Sequence, residues 1–176
     1  TGVQTCALPI SGVPSVPKGS SGITLNSYTM RPKARGSVTL RSNDPRSAPV
    51  VDPNFLGHPD DLRISVEGVK ISREIFSQPS LQKYLRAIRF PDDSVKTQAD
   101  YEAYARAYGR TSYHPVSTCK MGVDAMAVVD PALRVHGLDG LRICDSSVMP
   151  SLIGSNTNAA TIMIGEKAAD LIRGNG

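Results

Sequence analysis

Apolar positions follow a helical period in the middle of the chain and again at its end. Within PDDLRISVEGVKISREIFSQ, residues 59–78, apolar side chains recur three, four and seven positions apart, and two aspartates occupy the first turn. This pattern predicts a helix that Pro79 ends. Further helical segments are predicted at residues 79–88, 97–110 and 158–173. Thr97 and Gly109 suit the N-cap and the C-terminal stop of the third helix.

Strand patterns are shorter and depend more on their surroundings. ITLNSYTM (residues 23–30) and GSVTLRS (36–42) alternate apolar and polar positions, which predicts two strands of a half-exposed sheet. The proline-rich stretch at 47–59 predicts an extended loop. In the last third, short segments rich in branched residues predict strands, the last at about 141–144, before the helix at 158–173. The sequence therefore predicts a mixed α/β (α+β) fold.

Composition is that of an ordinary globular protein. The chain has 176 residues, 40% hydrophobic and 20% charged, which suits one domain or a piece of a larger one. Its net charge of +4 comes from scattered Lys and Arg, a pattern that argues against a nucleic-acid groove. Three widely spaced cysteines argue against a disulfide framework. They favour a reducing, cytoplasmic location.

Residues 1–22 differ from the rest of the chain. They are rich in Pro, Gly and Ser and show no sustained period. They also lack the positive start and unbroken apolar stretch of a secretory signal. We therefore expect a linker or foreign sequence there, without a function of its own, before a folded region at 23–176.

A histidine directly precedes a proline in YHPVSTCKMG, residues 113–122. Pro115 restricts His114 to extended geometry, which would aim the ring in a fixed direction. A fixed imidazole suits a general base, because ordinary imidazoles titrate near neutral pH. A hydrogen-bonded structural histidine is the alternative.

A second polar cluster, GSNTNAAT at residues 154–161, opens the last predicted helix. The first-turn N–H groups of a helix are unpaired, and the helix dipole places partial positive charge there. With the side-chain amides of Asn156 and Asn158, they would face a ligand that develops negative charge. Simple helix capping by one asparagine is the alternative, although two asparagines exceed what one cap requires.

Other chemistries find weaker support. Three tyrosines share one face of the third helix, where they either pack a core or bind a substrate: Tyr101, Tyr104 and Tyr108. No histidine or cysteine has zinc-ligand spacing, so no metal site is predicted. A hydrolase triad of Asp145, His114 and Ser155 lacks the G-x-S-x-G elbow. No G-x-G-x-x-G occurs, so the chain has no phosphate-binding loop of its own.

Four segments, taken together, resemble the C-terminal part of the glucose–methanol–choline family of flavin oxidoreductases, most closely its choline and alcohol dehydrogenases. They are RGSVTLRSNDPRSAPVVDPNFL, YHPVSTCKMG, VVDPALRVHGLDGLRICDSSVMP and NTNAATIMIGEKAADLI. The resemblance covers residues 25–173 in order. Two positions depart from the family pattern: Ser117 stands where glycine is common, and Ser146 where alanine is common.

The resemblance implies roles for individual residues. His114 matches the histidine beside the flavin that acts as catalytic base toward the substrate hydroxyl. Asn156 matches the second active-site position, which is His or Asn in the family. Contacts with the cofactor FAD are implied at the strand-end turn and the helix start, by Asp145, Ser146, Thr157, Asn158 and Ala159.

The resemblance also implies a domain organisation. We expect an antiparallel substrate-domain sheet with helices at about 23–135. The last strand and helix of a Rossmann-like FAD-binding domain should follow at about 136–173. The family's dinucleotide-binding loop belongs to longer chains, so we expect a C-terminal fragment that is inactive without its N-terminal FAD-binding half.

The expected function is FAD-dependent oxidation of a primary alcohol, a CH–OH donor, to an aldehyde, with hydride transfer to flavin N5. The electron acceptor is not specified by the sequence; a quinone would fit a peripheral position at the inner membrane. The alternative is a non-catalytic α/β binding or interaction module.

Overall fold

The computed structural model describes residues 21–174, so the predicted linker at 1–22 lies outside the described residues except for its last two positions. The chain divides into two compact units. Unit 1 comprises the described residues up to Arg35 together with Asn54–Arg110, and unit 2 comprises Gly36–Pro53 and the described residues from Thr111 onward. The predicted domain boundary near residue 135 stays a prediction.

Unit 1 is built on two long helices and one short one: α1 (Pro59–Ser77), α2 (Pro79–Gln82) and α3 (Gln98–Tyr108). Helices α1 and α3 confirm their predicted positions. The prediction of a helix over 79–88 is wrong beyond its first turn, since α2 ends at Gln82. This helix buries no side chain. Short helices form mainly when tertiary packing supports them, and that support is missing here.

The helix starts of unit 1 are capped by side chains. Before α1, the ring Nδ1 of His58 accepts a hydrogen bond from the backbone N–H of Asp60 at 3.1 Å. Sequence alone did not predict this cap, because histidine is not among the preferred N-cap residues. Before α3, Thr97 and Asp100 form a reciprocal capping box, as the prediction of Thr97 as N-cap requires. Gly109 follows α3 as its C-cap.

The core of unit 1 forms where α1 and α3 pack together. Leu62 and Val66 of α1 bury their side chains with Ala105 of α3, and Tyr101 packs against this cluster. Tyr104 stacks on the ring of Tyr108 with centroids 4.9 Å apart. Burial raises the pKa of Tyr104 above its ordinary value. These contacts favour the core-packing interpretation of the tyrosine face.

The strand predicted at 23–30 does not form, apart from an isolated bridge at Ser27. This segment packs on α1 instead: the Ser27 hydroxyl fills the space where a side chain on Gly68 would lie. Further along, the carboxylate of Asp61 accepts hydrogen bonds from the backbone N–H groups of Lys33 and Ala34 at 2.7–3.0 Å. Alternation alone could not reveal that these backbone groups pair with a helix side chain.

The sheet of unit 2 is a single antiparallel pair, β1 (Ser37–Thr39) and β2 (Val50–Asp52), within the described residues. The register pairs Ser37 with Asp52 and Thr39 with Val50. β1 confirms part of the strand predicted at 36–42. The extended loop predicted at 47–59 is wrong at 50–52, because pairing with β1 converts that stretch into a strand.

The rest of unit 2 is held by isolated bridges and one helix, α4 (Asn158–Arg173). The strand predicted at about 141–144 is reduced to a single antiparallel bridge between Arg134 and Arg142. Between Arg134 and Arg142 the chain reverses direction within a few residues, at Gly137 and Gly140, whose φ angles are 78° and 74°. The two segments are therefore too short to pair as strands. Helix α4 confirms its predicted bounds.

The core of unit 2 forms around α4. Its buried side chains come from the bridge region, from a 3-10 turn at Ser146–Val148 and from the helix: Val129, Leu133, Val148, Met149, Ile164 and Ala168. With two antiparallel strands and four helices, the mixed α+β class is confirmed. Among the described residues, no helix combines the length and apolar character that crossing a bilayer requires.

Candidate active site

His114 lies in unit 2, half-buried, in an irregular segment that follows the end of α3. Two non-glycine residues with left-handed backbone flank it: Tyr113 at φ 61° and Ser117 at φ 73°. Such residues persist when surrounding contacts hold them. Thr111 Oγ1 accepts from the N–H of Tyr113 at 2.9 Å, and Ser117 Oγ donates to the carbonyl of Met149 at 2.7 Å.

The positive φ of Ser117 is a backbone conformation that favours glycine, the residue that the resemblance leads us to expect at this position. Glycine adopts this region without steric strain, whereas serine meets a penalty there. The serine hydroxyl offsets part of that penalty through its bond to the Met149 carbonyl. The departure from the family pattern is therefore compatible with the same backbone path.

The segment after His114 forms hydrogen bonds with residues 145–149. This is the turn where the resemblance implies FAD contacts. The backbone N–H of Cys119 donates to Ser147 at 3.0 Å, and that of Met121 donates to Val148 at 2.8 Å. The Ser146 hydroxyl donates to the carbonyl of Pro115 at 3.5 Å. Together with Ser117, these contacts join the histidine segment to the turn.

The turn itself is capped by Asp145. Its carboxylate accepts from the backbone N–H of Ser147 at 2.8 Å and precedes the 3-10 turn as N-cap. This bond accounts for an acidic residue at the end of the predicted strand. A role for Asp145 or Ser146 in cofactor binding stays a prediction.

The imidazole of His114 lies against the start of α4. Its Nδ1 is 3.0 Å from Oγ1 of Thr157, a residue 43 positions away that is only 8% exposed. Thr157 lies between Asn156 and Asn158 in sequence. The structure thus brings the predicted base to the segment that carries the predicted amides, although sequence spacing gave no sign of this contact.

Helix α4 begins without a side-chain cap. Thr157 holds the N-cap position, but its side chain accepts no hydrogen bond from the first turn. Asn156 precedes the cap, and Asn158 is the first helical residue, so neither asparagine is the N-cap. Both are exposed, as is Ala159. The residues that carry the two amides and the first helical N–H groups are therefore exposed to solvent.

This arrangement has a definite chemical capacity. One nitrogen of His114 is held by Thr157, which leaves Nε2 as the nitrogen able to exchange a proton with a ligand. The exposed amides and the N–H groups of α4 can donate to an oxygen or to a carbonyl-rich ring. The roles of the predicted site residues stay predictions, whereas their placement in one unit is observed.

Two alternative sites were considered from the sequence, a hydrolase triad and a metal site. The imidazole of His114 meets Thr157 through Nδ1, whereas a hydrolase triad would join it to Asp145 and Ser155. The carboxylate of Asp145 accepts instead from the Ser147 backbone. Within residues 21–174, no three His, Cys, Asp or Glu side chains lie close enough to hold a metal ion.

An open hollow of about 390 Å³ lies in another part of unit 2. Its lining is strongly polar and includes Asp130, Arg134 and His136. Hydrogen bonds from the backbone N–H and the guanidinium of Arg134, and from the backbone N–H of Ala132, hold the pKa of Asp130 below its ordinary value. None of the predicted site residues lines this hollow.

Comparison with known proteins identifies relatives over most of the chain. The family model described as GMC oxidoreductase matches residues 32–165. An alcohol dehydrogenase [acceptor] of Pseudomonas putida is 44% identical over 151 residues, 86% of this chain and 27% of the relative. An oxygen-dependent choline dehydrogenase of Klebsiella pneumoniae is 46% identical over 146 residues, 83% of this chain and 26% of the relative.

Solved structures agree in fold. Pyridoxine 4-oxidase from Mesorbium loti superposes with a TM-score of 0.77 at 28% identity, covering 84% of this chain and 29% of that one. A formate oxidase from Aspergillus oryzae, in a structure that concerns FAD modification, gives 0.75 at 30% identity, with 82% and 26% covered. The chain thus spans about a quarter of the length of the curated relatives it matches.

Proposed function

This chain belongs to the GMC oxidoreductase family, and from that premise we propose that it supplies the catalytic base of a longer FAD-dependent alcohol dehydrogenase. The proposed reaction converts a primary alcohol, a CH–OH donor, to an aldehyde. The relatives named as alcohol and choline dehydrogenases support this reaction class. The 176 residues alone are proposed to be inactive, because they carry no dinucleotide-binding loop.

A single observation carries the proposal: the imidazole of His114 lies against Thr157, between the two exposed asparagines in sequence. A histidine with structural duties alone needs no exposed amides on both sides of its partner in the sequence. A base that takes a hydroxyl proton needs a donor nearby to hold the substrate oxygen.

FAD is the expected cofactor, and the family assignment together with the FAD-containing formate oxidase supports it. The start of α4 fits such a group, because its N–H groups are not capped by a side chain and lie beside exposed amides. Backbone donors at a helix start stabilise negative charge. Asn158, Ala159 and the backbone near Ser146 are the residues proposed to hold the flavin.

The residues of this chain would then divide the work. His114 Nε2 accepts the proton that leaves the substrate hydroxyl. Asn156 donates a hydrogen bond to the substrate oxygen and keeps it within reach of the imidazole. FAD, when bound, supplies the acceptor for the hydride that leaves the substrate carbon. The alcohol loses one proton and one hydride, which yields the aldehyde.

The remaining features of the function are also proposals. The electron acceptor is a quinone or another oxidant that reoxidises the flavin. The location is cytoplasmic, with a peripheral position at the inner membrane as the form that quinone use would favour. The rest of the FAD-binding half is the partner that completes the site.

The test replaces His114 by alanine in the longer, flavin-loaded protein. We expect alcohol turnover to fall by about 10² to 10⁴-fold while flavin content is retained, which is the usual contribution of a positioned base. His136→Ala is the matched control, since His136 lies in the same unit and its Nε2 bonds only to the carbonyl of Gly122 at 3.1 Å. Unchanged turnover in His114→Ala would instead support a non-catalytic binding module.

A further inference from the structure

Thr157 holds the N-cap position of α4 without capping it. A threonine at an N-cap normally accepts a hydrogen bond from a first-turn N–H, which stabilises the helix by about 1 kcal/mol. The hydroxyl of Thr157 lies instead 3.0 Å from Nδ1 of His114. The backbone of Thr157 is itself helical, at φ −78° and ψ −14°, whereas a capping residue has non-helical dihedrals, so its hydroxyl caps no first-turn N–H and lies beside the imidazole.

We propose that Thr157 is a positioning residue that holds the imidazole of His114 with its proton on Nδ1 and its lone pair on Nε2. The inference rests on the proposed function, because a base that accepts a substrate proton at Nε2 needs an unprotonated nitrogen there. The Nδ1–H of His114 then donates to Thr157 Oγ1. In a neutral imidazole, the hydrogen bond made by one ring nitrogen decides which of the two nitrogens carries the proton.

The surroundings of Thr157 make it a firm support. Its side chain is 8% exposed, so water competes little for the bond with His114. Its backbone carbonyl is fixed by Thr161, whose N–H and hydroxyl both donate to it at 2.9 and 2.8 Å. On the other side, Pro115 limits the backbone of His114. The ring is thus held from two separate parts of unit 2.

The two other histidines are held in the opposite tautomer and serve as internal references. His58 Nδ1 accepts from the backbone N–H of Asp60, so the proton of the neutral ring lies on Nε2. His136 Nε2 lies 3.1 Å from the carbonyl of Gly122, which can only accept, so its Nε2 also carries the proton. Only His114, among the three, is assigned a protonated Nδ1.

The first experiment measures imidazole tautomers directly. The 176-residue chain is labelled with ¹⁵N-histidine, and long-range ¹H–¹⁵N spectra are recorded at about pH 8.5, where ordinary imidazoles are neutral. We expect a protonated Nδ1 for His114 and a protonated Nε2 for His58 and His136. In Thr157→Val the His114 signals should lose this single-tautomer pattern, and in Thr157→Ser they should keep it. A protonated Nε2 in the unmodified chain overturns the inference.

The second experiment uses the longer, flavin-loaded protein. Valine has the shape of threonine without its hydroxyl, so Thr157→Val should lower kcat about tenfold, the effect of one lost hydrogen bond, with KM within about twofold. Thr157→Ser restores the hydroxyl and should recover most of kcat. Equal kcat in Thr157→Val and the unmodified protein overturns the inference, as does a loss that serine does not rescue.

The two proposals fail in different ways. If the proposed function is wrong, His114→Ala leaves turnover unchanged whatever the tautomer spectra show. If only the role of Thr157 is wrong, His114→Ala still abolishes most turnover, while Thr157→Val matches the unmodified protein in both kcat and the ¹⁵N pattern.

Discussion

Helices α3 and α4 both begin after a threonine, and the two threonines are used differently. In unit 1, Thr97 Oγ1 accepts from the N–H of Asp100 at 3.2 Å, and the Asp100 carboxylate accepts from the N–H of Thr97 at 2.7 Å. In unit 2, Thr157 makes no such bond and meets His114 instead. Thr97 has extended backbone dihedrals and caps its helix, whereas Thr157 has helical dihedrals, caps no N–H group and contacts an imidazole.

A second contrast lies in the polar groups at the helix starts of the two units. In unit 1, the ring of His58 and the carboxylates of Asp61 and Asp100 all accept backbone N–H groups. In unit 2, the amides of Asn156 and Asn158 lie exposed at an uncapped helix start. Polar groups that satisfy the backbone serve stability, whereas exposed donors next in sequence to the partner of the imidazole are available to a ligand.

The largest effect on stability is expected from Asp61, which is 2% exposed. Asp61→Ala removes the acceptor for the backbone N–H groups of Lys33 and Ala34 and should lower the free energy of unfolding by about 2 to 4 kcal/mol. Denaturant unfolding measures this loss. Asp60→Ala is the control and should change little, since its carboxylate forms only exposed ion pairs, with Lys33 and at longer range with His58 and Arg63. Similar losses in both variants would contradict the proposed importance of the buried carboxylate.

A smaller effect is expected in unit 2 at Ser117. Ser117→Ala keeps the strained backbone and loses the bond to the Met149 carbonyl, so it should destabilise the chain by about 1 kcal/mol. Ser117→Gly loses the same bond but relaxes the positive φ and should be more stable than the alanine variant. Thermal unfolding of the pair decides this. A glycine variant less stable than the alanine variant would show that backbone strain is not the governing factor.

The two threonines should differ in their effect on helix stability. Thr97→Ala removes half of a capping box and should destabilise the chain by about 1 kcal/mol. Thr157→Ala removes no cap, so the protection of the α4 amides against hydrogen exchange should fall less than that of the α3 amides in Thr97→Ala. Equal losses of protection would remove the distinction between the two helix starts.

The smallest effect concerns pH. Hydrogen bonds from the N–H groups of Thr97 and Lys96 lower the pKa of Asp100 below its ordinary value of 3.8. Because the folded pKa is depressed, the contribution of this carboxylate to stability is present above pH 3.8 and is lost as the pH falls through the folded pKa. On acidification, the hydrogen exchange of the α3 amides should therefore increase more in the unmodified protein than in Asp100→Asn. The same rise in both would exclude the capping box as its cause.

The sequence predicted helices better than strands for a physical reason. The period of α1, α3 and α4 and the N-cap of α3 are local signals, and each helix forms within a few residues of its predicted bounds. Strands require a partner, which the pattern does not name. The segment at 23–30 packs on α1, residues 50–52 become β2 by pairing with β1, and the segment at 141–144 keeps one bridge.

The candidate site could be predicted from the sequence only in part. Family motifs placed His114 and residues 156–159 in one functional group, and the structure brings His114 to Thr157. The contact itself was not predictable, because 43 residues separate the two side chains. The left-handed backbone of Tyr113 gave no sequence signal either, since left-handed φ is expected at glycine rather than at tyrosine.

We expect coupling between His114 and Asn156 in a double-mutant cycle, measured as kcat/KM for a primary alcohol in the longer, flavin-loaded protein. If the imidazole and the amide act on one substrate oxygen, each single alanine variant should lose activity, and the double variant should lose markedly less than the sum of the two in free energy. Strictly additive losses, or an Asn156→Ala variant as active as the unmodified protein, would contradict the account.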